Sequence, residues 1–210
     1  MSGGLDKEVR DKFVEGIKKN NKNMAPYVKD FLRNYYMLGF SVIPIKFKDK
    51  RPPLVQWTEY MERRPSWSEI EQWISEFKIF NIGIVTGKVS QLFVLDFDNK
   101  SMFWKWFNSL DIGFRLTLYN FTLKVYTNRG VHMYIRPKDL DQIPDTAIQI
   151  TEGLDIKGEK GYVLAPPSVR EDGRKYFFFR GDVVKVKTHS LLPLSKKLVE
   201  DLMKELKKVK

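Results

Sequence analysis

The chain has 210 residues, 42% of them hydrophobic and 14% aromatic, which is enough to form one large folded domain or two small ones. Its 37 lysines and arginines outnumber its 26 acidic residues, and the formal net charge of +11 favours a polyanionic partner such as nucleic acid. The absence of cysteine excludes disulfides, thiolate zinc sites and cysteine nucleophiles, and the charged N-terminus and short apolar runs predict a cytoplasmic protein without a signal peptide or membrane span.

We expect three helices and one strand in residues 1–80, the predicted N-terminal part of a single domain. Apolar residues recur at helical spacing in three segments, and Ser66 and Glu69 have the spacing of a capping box. A segment between the second and third helices has the pattern of a strand, in which Pro44 indicates an edge strand or a bend. The expected helices lie at 5–19, at 26–38 and from Ser66 onward, and the expected strand lies at 40–47.

A loop rich in cations and proline follows this first strand. Its basic side chains are either a track for the phosphates of a nucleic acid or an ordinary solvated loop. The candidate DNA-binding residues are Lys46, Lys48, Lys50 and Arg51.

The centre of the chain is the stretch 81–99, which has the pattern of a strand, a glycine turn and a second strand. The second strand, at 92–97, is apolar until its end, which predicts a central strand covered on both faces. It ends in Asp96 and Asp98, two residues apart, and we expect both carboxylates on the same face. They indicate a site for Mg²⁺ or Mn²⁺. The alternative is that Asp98 or Asn99 merely caps the helix that follows at 101–110 and that Asp96 is incidental.

Residues 113–138 contain five cations and no acidic side chain. Two strands are predicted inside this segment, at 122–127 and 131–136, and Arg129 lies in the turn between them. His132 lies on the polar face of the second strand, where either a phosphate oxygen or solvent would be its partner.

A third strand-borne carboxylate, Asp155, lies between two glycines in the sequence GLDIKG, near Lys157 and Lys160. Glycine permits a close approach of the backbone to a ligand, which a metal-assisted site requires. Strands at 161–165 and 176–179 follow, joined through a turn at 171–174. Residues 183–210 are predicted to form a basic loop and a helix that begins at Ser195.

Taken together, the motifs resemble the primase-polymerase domain of the archaeo-eukaryotic primase superfamily, as found in replication proteins of archaeal plasmids and phages. The resemblance covers about residues 30–180 and depends on the order and spacing of several motifs rather than on any one of them. In chain order these are GFSVIP, KRP with a later tryptophan, NIGIVTG, LDFD, GVHMYIR, GLDIKG and GYVLAPPS.

This resemblance implies a role for each candidate residue. Asp96, Asp98 and Asp155 would hold two divalent ions, Mg²⁺ or Mn²⁺, and His132 would contact the phosphates of the incoming nucleotide. Arg129, Lys157 or Lys160 would assist His132. It also implies a catalytic half, residues 81–182, with a sheet like that of an RNA-recognition domain, and a helicase in the same chain or in a partner.

The sequence departs from the family pattern in two places. A small hydroxyl residue often stands two positions before the histidine, where this chain has Gly130. A cysteine-rich zinc insertion, present in some plasmid relatives, is excluded here. The first departure removes one phosphate contact and the second removes only a structural element.

We therefore expect an α/β (or α+β) fold with an antiparallel or mixed sheet, packed against an N-terminal helical portion. The leading hypothesis is a template-dependent nucleotidyltransferase with DNA primase and DNA polymerase activity, whose substrates are DNA and nucleoside triphosphates. The alternatives are a metal-dependent nuclease and a non-catalytic DNA-binding replication module. The cation-rich strand with His132 favours polymerisation over cleavage.

Overall fold

A computed structural model describes residues 24–179 and 191–209, and the helix predicted at 5–19 lies outside them. The described part contains five α-helices, which are α1 (Met24–Met37), α2 (Trp67–Phe77), α3 (Lys100–Ser109), α4 (Ile112–Phe121) and α5 (Lys196–Leu206). It contains nine strands, which are β1 (Ser41–Ile45), β2 (Asn81–Val85), β3 (Phe93–Phe97), β4 (Leu123–Tyr126), β5 (Val131–Ile135), β6 (Ile148–Thr151), β7 (Leu154–Lys157), β8 (Tyr162–Ala165) and β9 (Phe177–Phe178).

The strands form two sheets, one of three strands in the order β1-β2-β8 and one of six strands in the order β6-β7-β3-β5-β4-β9. Every strand pairing in both sheets is antiparallel. The predicted α/β class is confirmed, and the sheets take the antiparallel form of the two that we expected. Strands β2 and β8, assigned from the sequence to the catalytic half, pair with β1 of the N-terminal part.

The strands predicted on either side of the glycine turn are both present, as β2 and β3, but they do not pair with each other. Strand β2 lies between β1 and β8, whereas β3 lies between β5 and β7. Both edges of each strand are therefore hydrogen-bonded to other strands, so β2 and β3 cannot pair with each other. The chain passes from one sheet to the other through Gly87 and Leu92, whose backbones exchange hydrogen bonds of 2.7 and 3.0 Å.

Helix α4 was not predicted from the sequence. Asp111 caps its N-terminus, because the side chain accepts hydrogen bonds from the backbone N–H groups of Gly113 and Phe114 at 2.9 and 3.2 Å. Leu118 is the one fully buried residue of this helix. A helix that buries so little of its surface has no clear apolar stripe, which is the signal that sequence analysis depends on.

Two hydrophobic cores lie on opposite faces of the six-stranded sheet. One face packs with the three-stranded sheet, α1 and α2, and receives Val94 and Tyr134. The other packs against α3, α4 and α5, and receives Phe93 and Leu95. Because neighbouring residues of β3 enter different cores, the prediction of a central strand covered on both faces is confirmed. No helix in the described ranges has the length and hydropathy needed to cross a bilayer.

Candidate active site

Three of the predicted site residues form one row across the six-stranded sheet. Asp96 on β3 lies directly opposite Asp155 on β7 and, on its other side, directly opposite His132 on β5. Residues that face each other in antiparallel strands project from the same face of the sheet, so the three side chains are neighbours. Their face is that of Val94 and Tyr134, which is turned toward the three-stranded sheet.

Asp96 is the centre of a charged cluster. Its Oδ1 atom lies 3.3 Å from Nε2 of His132, and its Oδ2 atom lies 3.7 Å from the ammonium of Lys157. The same ammonium lies 2.6 Å from a carboxylate oxygen of Asp155. Lys157 therefore bridges the two carboxylates and offsets their mutual repulsion.

The surroundings of Asp96 keep its carboxyl group ionised. Burial acts to raise its pKa, but the charge and hydrogen bond of His132, followed by the charges of Lys157 and Lys50, outweigh burial and lower the pKa to about 2. The carboxylate is thus a permanent anion at neutral pH, available to a cation or a proton donor.

His132 is itself buried, with its Nε2 side turned to Asp96. The opposite ring nitrogen, Nδ1, is also buried and has no hydrogen-bond partner among the described residues. Two phenol rings flank the imidazole, Tyr134 at 6.4 Å and Tyr176 at 5.9 Å between ring centroids. Burial raises the pKa of Tyr176 to about 12, so this phenol stays protonated in the physiological range.

A cavity of about 280 Å³ opens beside this row. Its walls combine carboxylates with four basic side chains, which is the composition expected of a site for a phosphate ligand and a cation. The lining residues are Lys50, Asp96, Asp98, Thr127, Asn128, Arg129, His132, Arg170, Asp172, Arg174 and Tyr176.

Asp98 reaches this cavity from the exposed end of β3. The alternative role, as cap of α3, belongs to Asn99, whose side-chain oxygen accepts from Ser101 N at 2.7 Å and from Met102 N at 3.4 Å. The carboxylate of Asp98 is therefore left to face the cavity with Asp96.

The cavity includes only some of the predicted site residues. Asp155 and Lys157 are not among the described lining residues. Lys157 contacts Asp96, which does line the cavity, and Asp155 contacts Lys157. Four basic residues predicted to contact the nucleotide or DNA also lie outside the described lining, namely Lys46, Lys48, Arg51 and Lys160. The ammonium of Lys46 lies 3.8 Å from Oδ2 of Asp49, and Lys160 is exposed in the connection between β7 and β8.

Four lining residues in the segment 170–176 were missed, because the sequence indicated only a turn at 171–174 and a strand at 176–179, without a part in the site. The backbones of Val169 and Lys175 pair, so Arg170 and Arg174 face each other across a hairpin. Asn128 holds this hairpin over the site, because it donates to Asp172 at 2.9 Å and accepts from Arg174 at 2.8 Å. The only hint in the sequence that this segment could contribute to the site was the presence of two arginines within residues 170–174.

A second and wider depression, of about 540 Å³, adjoins the cavity. The two share Asp98, Asn128, Arg129 and Arg174 as lining residues. A ligand larger than the inner cavity can therefore extend outward past the turn 128–130.

Gly130 stands where relatives often have a hydroxyl residue, and its surroundings give the reason for glycine in this chain. A Cβ atom at this position would lie 1.6 Å from the carbonyl oxygen of Phe97 and 2.7 Å from the carbonyl carbon of Asp98. Any side chain would collide with the backbone at the end of β3, so the close approach requires glycine.

The carboxylates have the chemistry of a divalent-cation site but not its finished geometry. No group of three or more histidine and acidic side chains in the described part of the chain is arranged to hold a metal ion. The ammonium of Lys157 lies between Asp96 and Asp155, where a bound cation would otherwise balance the two charges. Carboxylate oxygens are the type of ligand that Mg²⁺ or Mn²⁺ prefers, and a bound ion would have to displace the ammonium of Lys157.

A family model described as the N-terminal domain of bifunctional DNA primase/polymerase, Prim-Pol, matches residues 32–194. The chain belongs to the Prim-Pol family. This confirms the resemblance drawn from the motifs and gives the general class of a primase/polymerase-type nucleotidyltransferase, with DNA and nucleotides as the implied substrates. A search of curated proteins found no match for this Prim-Pol chain. All the cavity residues named above lie within the matched range.

Proposed function

We propose that this domain is a template-dependent nucleotidyltransferase that makes or extends primers on DNA from nucleoside triphosphates. The observation that carries the proposal is the row of Asp155, Asp96 and His132 beside a cavity that also contains four basic side chains. A site of this composition can hold a cation and a polyphosphate at the same time, as nucleotide transfer requires.

Asp96, Asp98 and Asp155 are the residues we propose as ligands of the divalent ions. When bound, such ions neutralise charge on the attacking and leaving oxygens of a phosphoryl transfer. The low pKa of Asp96 supports this role, because the carboxylate needs no deprotonation before it binds a cation. Lys157, held between Asp96 and Asp155, keeps these two acidic side chains close together until then.

We propose that the basic residues of the cavity orient the triphosphate. Arg129 and His132 lie on the β4–β5 hairpin and approach from one side, and Lys50 lines the cavity with them. Lys160 is proposed as a contact at the periphery, because it is exposed beyond β7. Most of the catalytic contribution of such residues is positioning, since it fixes the triphosphate relative to the primer end.

The exposed cations of the loop 46–51 are proposed to follow the phosphate backbone of the template. Lys46, Lys48 and Arg51 are all exposed at its surface. Contacts of this kind supply affinity that falls as salt concentration rises and carry little sequence information.

The test is primer extension on a labelled primer–template with Mg²⁺ or Mn²⁺, with ribo- and deoxyribonucleotides supplied separately. The Asp96→Asn variant is the matched control, because it removes one charge and keeps the shape of the side chain. We expect longer products with the wild-type chain and none with the variant, whose affinity for DNA stays within about threefold of the wild type. Shortened DNA would indicate a nuclease, and extension by the variant at the wild-type rate would disprove the metal assignment.

A further inference from the structure

Asn81, the first residue of β2, is a buried polar residue that has no part in the site described above. Only 1% of its surface is exposed. Its amide nitrogen donates to the carbonyl oxygens of Asp49 at 2.9 Å and Val169 at 2.8 Å, and its amide oxygen accepts from the backbone N–H of Val169 at 2.9 Å. One side chain thus joins two segments that are distant in sequence.

Each of these two segments continues into a basic residue that lines the cavity. Lys50 follows Asp49, and Arg170 follows Val169. The carbonyl oxygen of Lys50 also accepts a hydrogen bond of 3.1 Å from the hydroxyl of Tyr162 on β8. The three-stranded sheet, although it contributes none of the carboxylates, therefore determines where two of the four cavity cations lie.

Arg170, one of the residues that line this cavity, has a hydrogen-bond donor without an acceptor among the described residues. Its Nη1 atom is buried and has no hydrogen-bond partner in the part of the chain that the structure describes. A buried guanidinium N–H without an acceptor costs free energy, and an anionic oxygen is the acceptor that best offsets the cost. Arg170 and Lys50 line the same cavity as the carboxylates, so an anion bound there lies beside the proposed cation site.

We propose that Arg170 and Lys50 form a phosphate-binding pair for the polyphosphate of the nucleoside triphosphate, and that Asn81 is the positioning residue that holds both in place. This inference rests on the proposed function and deepens it, because it adds Arg170 to the phosphate contacts and makes Asn81 of the three-stranded sheet the residue that positions Arg170 and Lys50. The phosphates of a DNA backbone present the same oxygens, so the test must separate the two sources.

The first experiment is titration of the whole chain with inorganic triphosphate, with deoxyadenosine triphosphate and with a single-stranded oligonucleotide, all in Mg²⁺. The Arg170→Gln and Lys50→Gln variants are compared with Arg33→Gln, a charge-matched control on α1 whose guanidinium lies over the ring of Trp67. We expect Arg170→Gln to weaken inorganic triphosphate and the nucleotide by about tenfold each, with oligonucleotide affinity within about threefold of the control.

Unchanged affinity for inorganic triphosphate in Arg170→Gln would overturn the proposal. A loss confined to the oligonucleotide would overturn it too, because the contact would then belong to the DNA backbone. These titrations require no DNA synthesis. A wild-type chain that bound triphosphate through Arg170 but extended no primer would contradict the proposed function alone.

The positioning role of Asn81 is tested by a double-mutant cycle. We expect Asn81→Ala to weaken triphosphate binding by about fivefold in the wild-type background and to have no further effect when Arg170 and Lys50 are already glutamine. Equal losses in both backgrounds would show that Asn81 does not act through these cations. If Asn81→Ala does not fold, Asn81→Ser is used in the same cycle, and the two glutamine variants still decide the phosphate assignment.

Discussion

Asp96 and His132 face each other across β3 and β5, with Nε2 of the imidazole 3.3 Å from Oδ1 of the carboxylate. This side of the ring is therefore turned to the protein and not to a substrate. The nitrogen left for a ligand is Nδ1, which is buried without a hydrogen-bond partner among the described residues. Nδ1 can donate to a phosphate oxygen while Nε2 donates to Asp96 only when the imidazole carries both protons.

The first prediction concerns His132. We expect His132→Gln to weaken nucleoside triphosphate binding by about tenfold while DNA binding changes by less than about threefold, because the lost contact is with the triphosphate. Titration of each ligand measures both effects. Tyr134→Phe is the control, since it removes a buried hydroxyl beside the imidazole that has no partner in the described structure. Wild-type nucleotide affinity in His132→Gln would remove His132 from the site.

The second prediction concerns Lys157, whose ammonium competes with a metal ion for Asp96 and Asp155. We expect Lys157→Gln to bind Mn²⁺ about tenfold more tightly than the wild-type chain, because an entering cation no longer has to displace a positive charge. Calorimetric titration with Mn²⁺ measures the change. Lys105→Gln, at an exposed position of α3, removes the same charge elsewhere. Weaker Mn²⁺ binding in Lys157→Gln would mean that the lysine supports the cation site.

The third prediction is a pH dependence of stability. The pKa of Asp96 is lowered from 3.8 to about 2 in the folded state, so its ionisation stabilises the fold above about pH 4, and this contribution is lost as the pH falls toward 2. The contribution is about 2 kcal/mol at neutral pH and about 1 kcal/mol at about pH 3. Asp96→Asn, which mimics the protonated form, should therefore be less stable by these amounts.

Urea unfolding of the wild-type chain and Asp96→Asn at both pH values measures this difference. A variant that is as stable as the wild type at neutral pH would indicate that repulsion between Asp96 and Asp155 cancels the attraction of Lys157 and His132.

The fourth prediction concerns Gly130, where a Cβ atom would lie 1.6 Å from the carbonyl oxygen of Phe97. We expect Gly130→Ala to lower the free energy of unfolding by about 3 kcal/mol or more, because the backbone at the end of β3 must move. Thermal or urea unfolding measures the loss. Gly113→Ala is the control, because Gly113 lies in α4 and the nearest neighbour of an added Cβ atom, Oδ1 of Asp111, is 3.3 Å away. A cost below about 1 kcal/mol for Gly130→Ala would mean that the β4–β5 turn shifts to accommodate a side chain with little loss of stability.

Sequence patterns identified the chemistry of the site but not its alignment. Asp96, His132 and Asp155 were each found from strand periodicity and motif order, which are local signals. That they form one row depends on the register of β3 with β5 and β7, and no local pattern specifies a register between strands so far apart. The metal, nucleotide and DNA roles given to these residues and to the neighbouring basic residues remain predictions.

The hairpin 170–174 shows where sequence analysis stopped. Its turn residues were recognised, but its position over Asn128 depends on the pairing of β4 with β9. Arg170 and Arg174 therefore could not be assigned to the site from their own neighbourhood. The role of Asn81 could not be predicted for a similar reason. A single asparagine at the start of an apolar strand does not show which two distant segments its side chain joins.

Because β3 is buried on both faces, exposing the strand that carries Asp96 costs more free energy than moving the basic segments around the cavity. The amide groups of Leu95 and Asp96 lie in a central strand between two cores, so their exchange with solvent deuterium requires unfolding of the whole domain. The loop 46–51 and the hairpin 170–174 lie at the surface, and we expect their side chains to move at a fraction of that cost while Asn81 holds the backbones of Asp49 and Val169. The carboxylate position is thus fixed by global stability, while the basic walls can admit and release a long polyanion without disturbing it.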